Sequence, residues 1–524
     1  MNVRSRLRAV PALLLVLILA AGVPARMKGQ GRQAPPPEYR EIMAAQRIQD
    51  PALRLKEFER IKAAYPGSLY VQALDEGILS AKVTLAPSLA AVVDLQKAFL
   101  AGLGPGPDRL VGPVAMTVIL LNHPLLERFD RARVLDVVLS YRDSVRRAAE
   151  DPASLEGVPA EEREPVKANV LNAIELLAAR AYANAGDTGK AMASIEAYRK
   201  SGGATGGNYY YVLAGILETM GKLPEAVEAY LSAAAEKFGD AAGKARALYA
   251  RVHGSSDGFD AALGAKLRAL PFRPAPFEAP REWKGRTVLA ELFTGSECPP
   301  CVGADIAFDG LIETIPAKYL AVLVYHLPIP RPDPMMNAAS GLRADAYRID
   351  STPTVLIDGL QRSSGGGGRG AAEAKFAQYR SEIEPRLAAA PAVSLKARAS
   401  LEGDTVRVAY DFDRAVPGAE YILVLAQAEQ EHQGGNGVVF HKMVVRDLRA
   451  LDPAGKRTAA FDLAASERAA DDYLTAFERS GSHAPGFKFP VRRNAISRPG
   501  LRVVLFVQDK ASHEVLNAVV ADVE

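Results

Sequence analysis

The hydrophobic period changes twice along the 524 residues, and this change limits what the chain can fold into. Residues 38–270 carry apolar side chains at three- and four-residue spacing, which is typical of amphipathic helices. Residues 287–390 alternate apolar runs with helical patterns and predict an α/β arrangement. Residues 391–524 switch to a period of two between turn residues, which predicts a β-sandwich. We therefore predict a multidomain protein with an all-α, an α/β and an all-β domain.

The first residues have the order of a secretory signal. Arg4, Arg6 and Arg8 precede an apolar run at 9–21, and small residues follow that run. The run is shorter than the roughly 20 residues that a membrane-spanning helix needs, although an uncleaved anchor is the alternative. We expect residues 1–25 to be a signal peptide, and we predict an exported, periplasmic or secreted protein with no membrane span after cleavage.

Two proline-rich stretches separate the domains. Residues 26–37 are polar and predict a disordered tether, whereas residues 271–286 contain four prolines and Trp283, and predict a semi-rigid linker. The predicted order is a signal peptide at 1–25, the tether at 26–37, a helical domain at 38–270, the linker at 271–286, an α/β domain at 287–390 and a β-sandwich at 391–524.

The helical stretch contains an internal repeat. Gly186 and Gly221 are 35 residues apart, and each is followed five residues later by an alanine, Ala191 or Ala226. The glycine allows a turn between two helices, and the small alanine lets the helices pack closely. These segments resemble tetratricopeptide repeats, which implies a domain that holds a partner protein or supports the next domain. The alternative is an irregular helical domain of no repeat family.

The cysteine pair carries the chemical signal. Cys298 and Cys301 are the two cysteines of the sequence, and they follow an apolar strand and open a helix. An exported chain with a single pair three residues apart indicates a working redox couple rather than a structural staple. The thiol at the helix N-terminus is the one favoured as a thiolate. We therefore expect Cys298 to attack a substrate disulfide and Cys301 to resolve the mixed disulfide.

Residues 287–301 (TVLAELFTGSECPPC) with Ser351-Thr352-Pro353-Thr354 resemble the thioredoxin superfamily, and in particular secreted bacterial members followed by a β-sandwich. The resemblance implies a cis bond between Thr352 and Pro353, with Pro353 packed against the cysteines. It also implies that the backbone before this proline pairs with the substrate chain. In that superfamily, an acid on the strand before the cysteines accepts the proton of the resolving thiol.

Glu291 is the candidate for this acid. It lies one residue further from the cysteines than the superfamily pattern has it, and one residue along a strand changes the face. The alternative is a surface or strand-edge glutamate. Two further departures concern Cys298: Pro299 and Pro300 lack an N–H group, and Glu297 adds a negative charge. We therefore predict that Cys298 is less acidic than the corresponding cysteine of strong oxidants, and that the pair lies toward the reducing end of the scale.

The predicted function is that of an exported thiol–disulfide oxidoreductase, of the reductase or isomerase type, without a cofactor or bound metal. Its substrate would be a client protein with a disulfide or thiols, and an upstream redox partner would restore the pair. One alternative is a non-catalytic envelope scaffold that works through the helices. Another is a copper metallochaperone that uses both thiolates and a third ligand such as His326. The net charge of +3 gives no argument for nucleic acid.

Overall fold

The computed structural model describes residues 36–68, 70–203 and 205–524. The predicted signal peptide and the predicted tether up to residue 35 lie outside the described residues, and Pro37 already opens the first helix. The chain divides into two compact units, Met1–Phe259 and Asp260–Glu524. Within the described ranges, no helix has both the length and the apolar character that crossing a membrane requires.

The first unit is built of helices. Several begin at a capping side chain: Asp50, Ser88, Asp130 and Asp187 each accept a hydrogen bond from a backbone N–H of the first turn. The described helices of this unit are α1 (Pro37–Ala45), α2 (Pro51–Ala64), α3 (Val71–Leu85), α4 (Leu89–Ala101), α5 (Asp108–Leu121), α6 (Arg131–Glu150), α7 (Ala160–Asn184), α8 (Thr188–Lys200), α9 (Gly207–Thr219), α10 (Leu223–Ala235) and α11 (Ala241–His253).

The internal repeat found in the sequence is a structural repeat. Gly186 and Gly221 adopt positive φ values of 86° and 76° in the turns that follow α7 and α9. The N–H of the next residue, Asp187 or Lys222, donates to a carbonyl five residues earlier, at 2.9 Å in both turns. The alanine five residues after each glycine is completely buried. Two helix pairs thus repeat the same turn and the same close packing.

The second unit is built around a mixed eight-stranded sheet with the order β11-β10-β7-β8-β2-β1-β3-β4. Its strands are β1 (Val288–Thr294), β2 (Leu320–His326), β3 (Thr354–Ile357), β4 (Gln361–Ser364), β7 (Ala419–Glu431), β8 (Phe440–Leu451), β10 (Leu501–Asp509) and β11 (Val515–Asp522). A three-stranded sheet contains β5 (Leu395–Glu402), β6 (Thr405–Phe412) and β9 (Thr458–Asp462). The helices are α12 (Phe259–Arg268), which begins at the unit boundary, α13 (Val302–Thr314), α14 (Ala338–Tyr347), α15 (Ala372–Ile383) and α16 (Leu463–Ser480).

The predicted strand and helix order of residues 287–390 is present, with one strand more. Strands β1 and β2 are parallel and in register from Val288 opposite Leu320 to Thr294 opposite His326. Both strands are buried along their whole length, as expected for strands covered on two faces. The additional strand is β4, which pairs with β3 at the start of the glycine-rich segment of residues 363–370.

The strands after residue 391 do not form a separate β-sandwich. Strand β2 pairs with β8 at Val324 and Val444, so the sheet continues across the predicted boundary at 390. The three-stranded sheet does pack on part of this sheet, since Val406 and Phe461 share a buried cluster with Leu423. The sandwich layering is therefore present, but one of its two sheets is shared with residues 287–390. Strands of both segments carry similar apolar runs, and the period of two does not tell which strands will pair.

The linker is held by two of its aromatic residues. The rings of Phe277 and Trp283 lie 5.1 Å and 5.0 Å from the ring of Tyr319, which precedes β2. The indole N–H of Trp283 donates to the carbonyl of Arg286 at 2.7 Å. These contacts fix the entry of the chain into β1.

Candidate redox site

Cys298 and Cys301 form a disulfide at the carboxyl end of β1. The chain leaves β1 at Thr294, makes a 3-10 turn over Pro299–Cys301 and enters α13 directly. The N–H of Cys301 donates to the carbonyl of Cys298 at 3.1 Å, which closes the turn that brings the two sulfurs together. Both cysteines are completely buried.

Thr352 and Pro353 lie against this disulfide. The bond between them is cis, as the thioredoxin resemblance implied. The carbonyl oxygen of Thr352 is 3.7 Å from Cys298 Sγ, and its hydroxyl oxygen is 3.4 Å from the same sulfur. The structure therefore brings together four of the five predicted site residues, because Pro353 directly follows Thr352.

The sulfur of Cys298 has few hydrogen-bond donors. The Thr352 hydroxyl has a single hydrogen, and it donates to the carbonyl of Ile329 at 2.8 Å. Pro299 and Pro300 carry no N–H, and within the described part of the chain no backbone N–H donates to Cys298 Sγ. A thiolate formed here would gain little from hydrogen bonding.

Glu291, the fifth predicted residue, is engaged elsewhere. Its carboxylate accepts hydrogen bonds from the guanidinium of Arg343 at 2.7 and 2.9 Å, from the Tyr325 hydroxyl at 3.0 Å and from the Tyr347 hydroxyl at 2.8 Å. Because side chains alternate along β1, Glu291 faces away from Thr294, which lies on the face next to α13. The structure thus does not place Glu291 as a proton acceptor for Cys301.

A glycine-rich loop covers the motif from one side. The N–H of Gly367 donates to the carbonyl of Pro300 at 2.7 Å, and the N–H of Gly303 donates to the carbonyl of Gly367 at 2.8 Å. A Cβ atom at Gly366 would lie 1.8 Å from the Pro300 carbonyl oxygen. The glycine-rich loop is therefore packed against the backbone of the cysteine motif, at a distance that only glycine permits.

A second loop, between β7 and β8, covers the motif from another side. The N–H of Asn436 donates to the carbonyl of Ser296 at 3.0 Å, and its side-chain amide donates to the carbonyl of Cys298 at 3.3 Å. The N–H of Gly435 donates to the carboxylate of Glu297 at 2.8 Å. The two loops explain why the disulfide is shielded. The contact of neither loop with the motif was predicted, because each loop lies far from the cysteines in the sequence.

An ionised aspartate and a histidine lie next to the motif. Asp333 accepts hydrogen bonds from His326 Nδ1 at 2.9 Å, from the N–H of Ser296 at 2.5 Å and from the N–H of Met335 at 2.7 Å. Burial raises the pKa of Asp333, but the adjacent His326 and these donors outweigh it and hold the pKa well below its usual range. His326 is therefore oriented by Asp333 through one ring nitrogen.

Asp305 lies one helical turn after Cys301 and was missed by the sequence analysis. Burial raises its pKa to about 7, and the neighbouring Thr294 and His326 oppose this rise only in part. Its Oδ2 atom is shielded from solvent and has no hydrogen-bond partner among the described residues, and the same holds for His326 Nε2. The four-residue spacing from Cys301, which places the two side chains on one face of the helix, was the signal that could have found it.

The histidines near the motif do not make a metal site. The rings of His326 and His441 are 5.1 Å apart, and burial lowers the pKa of His441 to about 3, so that this ring is neutral. His441 Nε2 lies 3.1 Å from the carbonyl of His432. Over residues 36–68, 70–203 and 205–524, no group of three or more His, Cys, Asp or Glu side chains is arranged to hold a metal ion.

Comparison with known proteins does not assign the chain to a family. No family model matches the chain, and no curated protein matches it. Among solved structures, the chain is similar to HBP35 of Porphyromonas gingivalis, with 14% sequence identity over 47% of this chain and 77% of that chain. The TM-score is 0.31, at which the likeness does not establish a shared fold.

Proposed function

We propose that the protein is a thiol–disulfide oxidoreductase of the reductase or isomerase type, with a thioredoxin-like site in residues 287–390. The observation that carries the proposal is the contact between the Cys298–Cys301 disulfide and Thr352, which precedes the cis Pro353. A redox pair between a strand and a helix, beside a backbone segment able to pair with an extended chain, is suited to exchange with a protein disulfide.

In the reaction, the Cys298 thiolate attacks one sulfur of a client disulfide, and the other client sulfur leaves as a thiolate that takes up a proton. The thiolate of Cys301 then attacks Cys298 Sγ and displaces the second client thiolate. Two electrons pass from the protein to the client, and the protein ends with the disulfide present in the structure. A dithiol reductant must return the pair to its reduced form.

The helical unit fits a supporting role in this proposal. Its repeated helix pairs, with tight glycine turns and buried alanines, support a tetratricopeptide-like assignment. Such repeats commonly present a surface to another protein. We propose that this unit holds the client protein, and that the predicted signal at 1–25 directs export to a compartment in which disulfides persist.

The first test traps the client. With Cys301→Ser, we expect mixed disulfides on Cys298 after incubation with a disulfide-bonded protein, because the resolving thiol is absent. The adducts should be visible by non-reducing electrophoresis and should disappear on addition of a dithiol. Cys298→Ser is the matched control and should form none. The absence of adducts, together with no disulfide reductase activity of the unaltered protein, would overturn the proposal.

The second test is the reduction potential of the pair. With few donors around Cys298, we expect a value closer to that of thioredoxin, about −270 mV, than to that of a strong periplasmic oxidant, about −120 mV. Equilibration with glutathione or dithiothreitol buffers, followed by alkylation and mass spectrometry, gives the value. A potential near the oxidising end would contradict the expected poor stabilisation of the thiolate.

A second candidate function follows from the burial of the disulfide. Both cysteines are shielded, as in a structural disulfide, so the protein could act as an envelope scaffold through its helical unit. The two functions predict different accessibility of the disulfide to a small reductant. A structural pair would resist a small dithiol until the protein unfolds, whereas a redox pair would be reduced by millimolar dithiothreitol while the far-UV circular dichroism stays native.

A further inference from the structure

Three ionisable side chains, Asp305, His326 and Asp333, are grouped near the cysteine motif. Asp305 lies four residues after Cys301 along continuous helical backbone, so their Cβ atoms share a face about 5–6 Å apart. His326 ends β2 and is opposite Thr294, the last residue of β1. Asp333 accepts a hydrogen bond from His326 Nδ1, which leaves Nε2 as the free ring nitrogen.

The exchange reaction of the cysteine pair requires a proton donor and acceptor near Cys301. Each time the disulfide opens or closes, Cys301 must gain or lose a proton. The cysteine is completely buried, and a thiolate without solvent or donors is costly. Because Cys301 is fully buried in the folded protein, a neighbouring internal group is the one suited to supply and remove the proton.

We propose that Asp305 takes the proton from the Cys301 thiol and returns it, and that His326, oriented by Asp333, exchanges this proton with Asp305. This inference rests on the proposed function. In the forward direction the Cys301 S–H bond breaks, the proton goes to the Asp305 carboxylate, and the resulting thiolate forms the S–S bond with Cys298. The departing client thiolate carries away the electron pair. When a dithiol reductant reopens the pair, Asp305 returns its proton to Cys301.

The unpartnered atoms support this assignment. Asp305 Oδ2 and His326 Nε2 are both shielded and both lack a hydrogen bond among the described residues, although each belongs to a side chain that can carry a proton. Other groups facing Asp305 are few. Asp333 and Asp309 oppose its ionisation, Tyr379 on α15 is neutral near pH 7, and His326 favours ionisation. The pKa near 7 lets Asp305 exist in both forms at neutral pH.

The experiment compares Asp305→Asn with Asp309→Asn, a matched control one turn further along the same helix with a pKa that burial also raises. Stopped-flow measurement of the resolution step at pH 5–9 should show Asp305→Asn slower by about 100-fold or more at pH 7, with the pH-dependent rise near 7 lost. Asp309→Asn should stay within about threefold and keep the rise. His326→Gln should slow the step less than Asp305→Asn. Equal profiles for Asp305→Asn and Asp309→Asn would overturn the inference.

A readout without catalysis separates this inference from the proposed function. The pKa of Asp305 is raised in the folded state to about 7 from about 3.9 in the unfolded state, so the folded protein binds the extra proton. The contribution of Asp305 to stability is present below pH 4 and is lost as the pH rises to 7. In the oxidised protein, Asp305→Asn should make this decline smaller, with the remainder due to groups such as Asp309 whose pKa burial also raises, and Asp305→Ser serves if the asparagine variant does not fold. An unchanged decline would contradict the inference even if client trapping succeeds. If Asp305→Asn makes the decline of stability smaller but no client is trapped, the result would instead contradict the proposed oxidoreductase function.

Discussion

Replacement of Arg343 by methionine is expected to lower the free energy of unfolding by about 3–5 kcal/mol, because it leaves Glu291 as a buried charge without a cation. The side chains of Arg343 and Glu291 are 3% and 0% exposed, and the guanidinium also donates to Gln508 at 2.6 Å. Methionine keeps most of the volume of the arginine side chain but has none of its hydrogen-bond donors. Urea unfolding followed by circular dichroism gives the change.

The matched control is Arg362→Met, which removes an exposed ion pair with Asp350. These side chains are 42% and 86% exposed and 3.7 Å apart, so the change should cost about 0–1 kcal/mol. Glu291→Gln should also lower stability, but the folded variant should retain cysteine exchange, because its carboxylate does not face the disulfide. A folded Glu291→Gln variant without exchange would return Glu291 to the role that the sequence predicted for it.

Replacement of Gly366 by alanine is expected to expose the disulfide. The new Cβ would lie 1.8 Å from the Pro300 carbonyl oxygen and 2.8 Å from Pro353 Cγ, so the loop must move away from the motif. Overpacking of this kind costs about 1–3 kcal/mol, which corresponds to a population of the open loop about 5–150 times larger. We expect the rate of reduction by dithiothreitol to rise by a similar factor, measured by alkylation of Cys298 and Cys301 over time.

Gly368→Ala is the control for the loop. Its Cβ would meet no atom within 4 Å and its φ is −71°, so an alanine fits without strain. Its reduction rate and its thermal unfolding should match those of the unaltered protein. If Gly366→Ala and Gly368→Ala are reduced equally fast, the loop does not limit access to the sulfurs, and the hairpin loop at Asn436 becomes the remaining barrier.

Local patterns could predict part of the site. The spacing of Cys298 and Cys301, an apolar strand before them and a helix after them are short-range features, and all are found in the structure. The cis bond before Pro353 followed from a resemblance rather than from spacing. The turn glycines of the helical unit could also be predicted from the sequence, because a turn with a positive φ favours glycine at a single position.

Long-range placement could not be predicted. The face occupied by Glu291 depends on where β1 begins, and a single residue reverses it. The bonds from Gly367 and Asn436 to the motif depend on how distant loops return, which no periodicity encodes. Asp305 differs from these, because its helical spacing from Cys301 was readable. The thioredoxin resemblance implied an acid on the strand before the cysteines, whereas Asp305 lies on the helix after them.

The pairing of β2 with β8 has a consequence for dissecting the protein. A chain ending at residue 390 would expose the edge of β2, which is hydrophobic along its length, and unpaired apolar edges invite aggregation. It would also lose Asn436 and with it one cover of the cysteine motif. Residues 287–390, which resemble a complete thioredoxin-like domain, are thus not expected to fold alone. A fragment that contains the cysteine motif must include the strands that follow residue 390.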